Sequence, residues 1–226
     1  MTRVPSAQHP LIAREGRVAL IATSIAGITL YVLFGAGACT PALLALLFLC
    51  FHFRDPHRDS PSLPLALVAP VDGMVTHAGA LYDPWLGREA AAVSIVMGLL
   101  DVHTMFSPLE GKIVEQWSEP RHLEDPTAVP NHAVAYLVRT DEGDEVTMEI
   151  ARGRLGGALR FYYQPGERIG HGRRIGYATL GCRITTYAAR GSRVESSAGV
   201  RVAAATSVVA TLVHEKPVSA LREPVE

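Results

Sequence analysis

The sequence lacks the features that mark several large functional classes. Its 21 Lys and Arg are balanced by 22 Asp and Glu, so the net charge of −1 carries no basic excess that would indicate a nucleic-acid partner. The three cysteines, Cys39, Cys50 and Cys182, are not at metal-ligand spacing, and so few thiols argue against a disulfide framework and favour a reducing compartment. Gly-rich phosphate loops and Ser-His-Asp spacings are also missing. We therefore expect no metal, no nucleic acid and no disulfide-rich secreted domain.

Charged residues are absent from one long stretch near the N-terminus. Residues 18 to 51 contain no Asp, Glu, Lys or Arg, and about 20 apolar residues suffice to span a bilayer. One straight helix of this length would overshoot the hydrocarbon core. Because Gly35, Gly37 and Pro41 interrupt the run, the sequence predicts two apolar helices, at about 18–34 and 41–53, of which the second is short for a full span.

The charges that flank this stretch predict a membrane hairpin with both ends in the cytosol. Arg14 and Arg17 precede it, and Arg54 and Arg58 follow it, whereas Lys and Arg collect on the cytoplasmic side of membrane segments. A cleaved signal peptide fits poorly, because the run is too long and no clean small-residue cleavage site follows it. We therefore expect an anchor over residues 1–60 that holds the following domain at the cytoplasmic face of the cell membrane.

The chain beyond Pro70 has the pattern of a β-rich domain. Its apolar runs are short and are separated by Gly, Pro and Asp turns, which is typical of the strands of a sandwich or barrel. The sequence predicts a mainly β fold over residues 61–226, a small β-sandwich or barrel-like domain, with strands at 91–97, 133–139, 145–150, 159–163, 184–187 and 207–213.

Three short segments carry residues that suit chemistry. Asp72-Gly73 is on its own an ordinary turn, and His103, which follows an apolar strand, is on its own more easily explained as a structural residue than as a functional one. Arg54-Asp55-Pro56 alone is no more than a polar stop after the apolar run. Gly181-Cys182 is more informative, because a flexible Gly before a side-chain nucleophile is what a self-cleaving peptide bond needs.

Taken together, these segments resemble one family, the short-form phosphatidylserine decarboxylases. Residues 53–58 (F-R-D-P-H-R) are similar to the family pattern F-R-D-P-x-R, and residues 68–75 (V-A-P-V-D-G-M-V) to P-A-D-G-x-V. Residues 101–111 match D-V-H-x-x-x-x-P-x-x-G, residues 131–134 (N-H-A-V) fall on an N-x-R-N-A element, and residues 181–187 (G-C-R-I-T-T-Y) fall on F-G-S-R-V-x-x-Y. The resemblance covers about residues 10 to 213 in the right order and spacing.

The resemblance implies a proenzyme that makes its own prosthetic group. In the family a Ser attacks the preceding Gly carbonyl, the ester eliminates, and an N-terminal pyruvoyl group remains as a covalent cofactor. That group forms a Schiff base with the amine of phosphatidylserine and acts as an electron sink, so that carbon dioxide leaves and phosphatidylethanolamine forms. A membrane lipid is then the substrate, the two cleaved chains stay associated, and a homo-oligomer is possible within such a family.

The resemblance also assigns roles to single residues. Asp72 matches the Asp that helps to drive self-cleavage as acid or base, and His103 matches a His placed for proton transfer or for holding the substrate carboxylate. Cys182 stands at the position of the pyruvoyl-forming Ser, and Gly181 becomes the new C-terminus of the longer chain. A nearby Gly191-Ser192 also reads G-S-R with the next residue, but it leaves too little chain for the last strands, so Ser192 is predicted to be a loop residue.

Two departures from the family pattern leave two hypotheses open. Cys182 replaces Ser, and residues 150–157 (I-A-R-G-R-L-G-G) alter the usual I-A-G-x-x-A-R-R run. The first hypothesis is a decarboxylase that cleaves itself between Gly181 and Cys182, with slow maturation. The second is a membrane-anchored homologue that stays intact and binds lipid or a partner. A denaturing gel separates them, because only the first gives fragments of about 181 and 45 residues.

Overall fold

The computed structural model describes residues 12–118, 133–152, 159–178 and 181–213. Two apolar helices come first, α1 (Arg17–Phe34) and α2 (Thr40–His52). Gly35, at φ +83°, ends α1, and Pro41 stands in the first turn of α2, where its missing N–H costs no hydrogen bond. No residue of either helix is buried. The helical segment Arg14–Phe34 is long and apolar enough to cross a membrane, while α2 is shorter.

The rest of the described chain is mainly β, as the sequence predicts. The strands are β1 (Ala66–Val68), β2 (Gly73–Asp83), β3 (Arg88–Val96), β4 (Thr104–Phe106), β5 (Gly111–Trp117), β6 (Ala133–Arg139), β7 (Glu145–Ala151), β8 (Leu159–Phe161), β9 (Arg168–Ile169), β10 (Arg174–Ala178), β11 (Arg183–Ala189), β12 (Arg193–Val194), β13 (Arg201–Val202) and β14 (Val208–Thr211). The predicted strand runs at 91–97, 133–139, 145–150, 159–163, 184–187 and 207–213 all coincide with strands.

One large sheet organises the domain, with two small sheets beside it. The large sheet has the strand order β13-β2-β3-β11-β7-β6-β5-β9, and the small ones are β1-β14-β12 and β4-β10-β8. Alternate residues of the central strand β11 serve the two faces of the sheet. Cys182 and Ile184 belong to the main apolar core, whereas Tyr187 belongs to a second cluster with Trp85 and Trp117. The domain therefore buries apolar side chains on both faces of this sheet.

The register brings four strand ends to one edge of the large sheet. Val96, at the end of β3, pairs with Met74 on one side and with Arg183 on the other, and Arg183 also pairs with Ala151 at the end of β7. The residues just before β2 and just before β11 therefore meet at the same edge. We call this edge the site edge.

The segment after α2 ties the helices to the domain, so it is more than a polar stop. The Arg54 guanidinium donates to the Leu100 carbonyl at 2.7 Å. The buried Asp55 accepts from the Thr104 hydroxyl at 3.0 Å and pairs with Arg174 at 2.9 Å. On the other side of the hairpin the Tyr162 hydroxyl donates to Glu15. These contacts fix where the apolar hairpin leaves the domain.

Candidate active site

The Gly181-Cys182 pair lies at the site edge, where a turn leads into β11. Gly181 has φ +71°, in the left-handed region that Gly adopts without the steric penalty of a side chain. The Cys182 carbonyl accepts the Met97 N–H at 3.0 Å, which fixes the start of β11 against the end of β3. The Cys182 side chain is fully buried in the main core. A conformationally permissive residue thus precedes a buried thiol on a rigid strand.

Asp72 lies at the same edge, at the start of β2. Its two carboxylate oxygens are held separately, one by the Arg58 guanidinium at 2.6 Å and the other by the Ala204 N–H at 2.7 Å. The next residue must be Gly, because a Cβ on Gly73 would lie 2.3 Å from the Val96 carbonyl oxygen. β2 and β11 are the two neighbours of β3, so the main chains of Asp72 and Cys182 are about 10 Å apart at the usual strand spacing.

His103 reaches the site from a different sheet. Its carbonyl accepts the Ala178 N–H at 2.9 Å, at the end of the β4–β10 pairing. This hydrogen bond places His103 beside Ala178, which precedes Gly181 by three positions in the sequence. The imidazole is 1% exposed, and its ring centroid lies 4.5 Å from that of His52 and 6.1 Å from that of Tyr177. Among the described residues, neither ring nitrogen of His103 makes a well-formed hydrogen bond.

The surroundings of His103 keep its imidazole neutral near pH 7. Burial lowers its pKa from the usual 6.5 to about 4. The charges of the His52 and Arg54 side chains also lower this pKa, whereas Asp101 and a hydrogen bond with the His52 main chain raise it. A neutral imidazole has one nitrogen that can accept a proton and one that can donate. His103 is therefore available as a proton acceptor over the whole physiological range.

We expect this buried imidazole to make the fold less stable in acid. Between pH 6.5 and about pH 4, His103 is protonated in the unfolded chain but not in the folded chain. The free energy of unfolding therefore falls as the pH is lowered through this window. The loss is on the order of 2 kcal/mol. Unfolding in denaturant at a series of pH values measures it. The His103→Gln variant should lose this part of the slope, whereas His57→Gln, at an exposed position, should retain it. An unchanged slope in His103→Gln would contradict the assignment.

The structure brings together Asp72, Gly181 and Cys182 at the site edge and sets His103 beside Ala178. It puts Ser192 elsewhere, in the turn between β11 and β12 at the opposite end of β11. Leu180, residues 131–132 and residues 153–157 lie outside the described residues, so those parts of the family pattern have no geometry here. Within the described ranges, no group of three or more His, Cys, Asp or Glu could hold a metal ion.

Sequence reasoning missed three residues around this site. Arg58, which holds Asp72, and Arg54, which holds the loop before His103, both belong to the 53–58 motif. The motif was visible as a resemblance, but nothing in the sequence said which domain residues it contacts. His52 was assigned only to an apolar helix, yet its ring packs on His103. The signal that could have found it is a lone imidazole at the polar end of an otherwise apolar helix.

Comparison with known proteins identifies the family of this chain. Residues 45–210 match the sequence model of the phosphatidylserine decarboxylase family. A phosphatidylserine decarboxylase proenzyme of Nitrosomonas europaea is 35% identical over 212 residues, which cover 91% of this chain and 97% of the relative. The proenzyme of Burkholderia multivorans is 31% identical over 208 residues, which cover 90% and 97%. The chain belongs to the phosphatidylserine decarboxylase family, a family of carboxy-lyases, as the resemblance implies.

Proposed function

We propose that this protein converts phosphatidylserine to phosphatidylethanolamine after cutting its own chain between Gly181 and Cys182. The observation that carries the proposal is the arrangement at the site edge. Gly181, in the left-handed region, precedes the buried thiol of Cys182, and the Asp72 carboxylate lies two strands away. The neutral imidazole of His103 lies beside Ala178, three residues before Gly181. The relatives that match nearly the whole chain are named as proenzymes, which supports a precursor that matures.

Maturation is proposed to begin with an acyl shift from nitrogen to sulfur. The Cys182 thiol attacks the Gly181 carbonyl carbon, the Gly181–Cys182 C–N bond breaks, and the thiol proton passes to the released amine. A thiolate is a strong nucleophile, and Gly181 lets the backbone rotate as the carbonyl turns toward sulfur. Asp72 is the proposed acid or base of this step, held in place by Arg58 and by the Ala204 N–H.

The second stage removes sulfur from residue 182. A base takes the Cα proton of residue 182, the Cβ–S bond breaks, and the sulfur leaves with Gly181 as a thiocarboxylate at the new C-terminus. The dehydroalanine that remains tautomerises to an imine, and water hydrolyses this imine to ammonia and a pyruvoyl group. The described residues fit this group, because the Met97 N–H already holds the main-chain carbonyl of residue 182. When present, a pyruvoyl group supplies an electron-withdrawing carbonyl for decarboxylation of an amine substrate.

His103 is the residue proposed to handle protons during decarboxylation. Its imidazole is neutral and buried. Its hydrogen bond with the His52 main chain falls short of normal geometry, so the ring nitrogens remain available to a substrate. Such a group can hold a proton for the substrate or bind the substrate carboxylate. Asp72 forms an ion pair with Arg58. The negative charge of Asp72 is therefore compensated and does not repel an anionic head group.

The helical hairpin is proposed to hold this site at the lipid surface. No residue of either helix is buried, and both helices carry large exposed apolar side chains, as a membrane-spanning helix does. The flanking Arg14, Arg17, Arg54 and Arg58 favour a cytoplasmic location for both ends. We therefore propose a membrane anchor over residues 1–60 and a domain over residues 61–226 that faces the cytoplasm of the cell membrane. The two chains formed by cleavage would stay together through the β3–β11 and β7–β11 pairings.

A labelled lipid tests the proposed reaction. The full chain, purified in detergent micelles, is incubated with phosphatidylserine that carries carbon-13 in the serine carboxyl group. We expect labelled carbon dioxide and unlabelled phosphatidylethanolamine, both detected by mass spectrometry. Phosphatidylserine labelled at the serine β-carbon is the control, and its label must stay in the lipid. An intact chain that releases no labelled carbon dioxide would favour the homologue that binds without cleaving, which only the Ser-to-Cys departure at 182 and the altered 150–157 run suggest.

A further inference from the structure

A short loop beside the site exposes two adjacent leucines. Residues 98–101 connect β3 to the segment before β4, and at the tip of this loop Leu99 is 55% exposed and Leu100 is 58% exposed. Single exposed leucines are common on protein surfaces and carry little information. Two side by side, in a loop that leads directly to His103, are less ordinary.

The loop is held in one conformation by polar contacts at its base. One Asp101 carboxylate oxygen accepts the Gly98 N–H at 2.7 Å, and the other accepts a hydrogen bond from the Arg201 guanidinium. The Asp101 N–H also lies 3.4 Å from the Gly98 carbonyl oxygen. A side chain at Gly98 would come within 2.9 Å of the Asp101 carboxylate. The fold thus uses buried and half-buried polar groups to present two apolar side chains outward.

The loop lies at the same level as the polar end of the apolar hairpin. The Arg54 guanidinium donates to the Leu100 carbonyl at 2.7 Å and to the Phe51 carbonyl at 3.0 Å, and it also lies over the Phe51 ring at 4.0 Å from the centroid. Phe51 is in the last turn of α2 and is itself exposed. Arg54 therefore joins the leucine loop to the last apolar turn of the hairpin. The exposed apolar surface of α2 continues onto Leu99 and Leu100.

We propose that Leu99 and Leu100 insert into the lipid leaflet from which the hairpin emerges, as a second membrane contact of this protein. The occupant of this apolar surface is a bilayer, because the surface is continuous with helices whose apolar side chains are all unburied. The exposed Arg201 and the half-buried Arg54 flank the loop, so an anionic lipid surface suits it best. The proposal rests on the membrane attachment proposed above.

The second contact would give the domain a fixed orientation on the membrane. A hairpin alone can tilt in the bilayer, and the domain would tilt with it, because Asp55 and Arg58 fasten the link to the domain. A loop that enters the same leaflet at a second point removes this freedom and turns the site edge, with His103 just beyond the loop, toward the head groups. A head group would then reach the site without the lipid leaving the bilayer.

Tryptophan quenching tests the proposal without requiring activity. Leu100→Trp and Leu99→Trp variants of the full chain are reconstituted into vesicles of phosphatidylcholine and phosphatidylserine whose acyl chains are brominated near the head group. The two native tryptophans, Trp85 and Trp117, are buried and give a background that the parent protein measures. Glu142→Trp is the matched control, because Glu142 lies in the exposed β6–β7 turn at the end of the sheet opposite the site edge. Leu44→Trp, on the exposed surface of α2, reports the hairpin itself.

We expect brominated lipid to quench the added fluorescence of Leu99→Trp and Leu100→Trp at least twofold more than that of Glu142→Trp. Quenching of Leu44→Trp with none at both loop positions overturns the loop contact and leaves the hairpin in place. Absence of quenching at Leu44→Trp as well overturns both the loop contact and the membrane attachment. A loop tryptophan that is shielded from an aqueous quencher but not quenched by brominated lipid indicates a protein partner, such as a second copy of the chain, and also overturns the proposal.

Discussion

Replacing Cys182 with Ala is expected to leave the purified protein as one chain of 226 residues and to reduce decarboxylation to the background rate. Ala has no side-chain nucleophile, so neither the acyl shift nor the elimination can begin, and no electron-withdrawing carbonyl forms at residue 182. The parent protein should instead give fragments of about 181 and 45 residues on a denaturing gel. Because the buried side chain loses only its sulfur, the variant should still fold.

Cleavage through the Cys182 thiol leaves a product at the new C-terminus that hydrolysis by a protease does not. Elimination from a thioester puts sulfur on the C-terminus of Gly181, so the longer fragment should carry a thiocarboxylate, one sulfur in place of one oxygen. A Cys182→Ser variant should give an ordinary carboxylate at the same residue. Mass spectrometry of freshly cleaved protein tells the two apart. Simple hydrolysis or a contaminating protease would leave a carboxylate in both proteins.

The Cys182→Ser variant should also mature faster than the parent. Sulfur is larger than oxygen and its bonds are longer, and the side chain of residue 182 lies fully buried in a packed core. A misplacement of about 1 Å can cost up to roughly 100-fold in such a reaction, so we expect an acceleration within that range. Ser192→Ala is the matched control and should process like the parent, because Ser192 lies at the other end of β11. Uncleaved parent and Ser variants together would mean that the scaffold does not self-process at all.

The fold follows from the sequence more completely than the site does. The strands at 91–97, 133–139 and 145–150 were predictable because short apolar runs ended at Gly and Asp turns. Pairing was not predictable, because register depends on contacts between residues far apart in sequence. Only the register shows that Val96 stands between Met74 and Arg183, and this is what makes a turn at Asp72 and a turn at Gly181 parts of one edge.

The site residues found by resemblance act through their side chains, whereas some of the groups that hold them, found only in the structure, act through their main chains. Asp72, His103 and Cys182 stand in short patterns that can be read along the chain. Their supports are partners across long sequence separations, such as Ala204, which donates to Asp72, and Ala178, which fixes the His103 main chain. Neither Ala has a side chain that marks a function. Any residue can supply a main-chain N–H group, so these contacts depend on where the residue lies in the fold. A single sequence does not reveal that location.

Replacing Asp72 with Asn is expected to slow maturation by roughly 10²- to 10⁴-fold, the usual contribution of a general acid or base. Asn keeps the size of the side chain and can still accept the Ala204 N–H bond that Asp72 now accepts at 2.7 Å. It loses the charge that pairs with Arg58 and the capacity to move a proton. A time course of the precursor on denaturing gels, after synthesis in a cell-free system, measures the rate directly.

The control for this variant is Asp59→Asn, the same change one residue beyond Arg58. Asp59 is 95% exposed, and within the described part of the chain its ion pair is with the exposed His57 at 3.3 Å, so its replacement should leave the rate of cleavage unchanged. Unfolding in denaturant must show that both variants fold, because Asp72→Asn leaves the half-buried Arg58 without its carboxylate partner. A stable, folded Asp72→Asn protein that cleaves at the parent rate would remove Asp72 from the maturation step. The carboxylate would then serve only to fasten residues 53–58, and with them the hairpin, to the site edge.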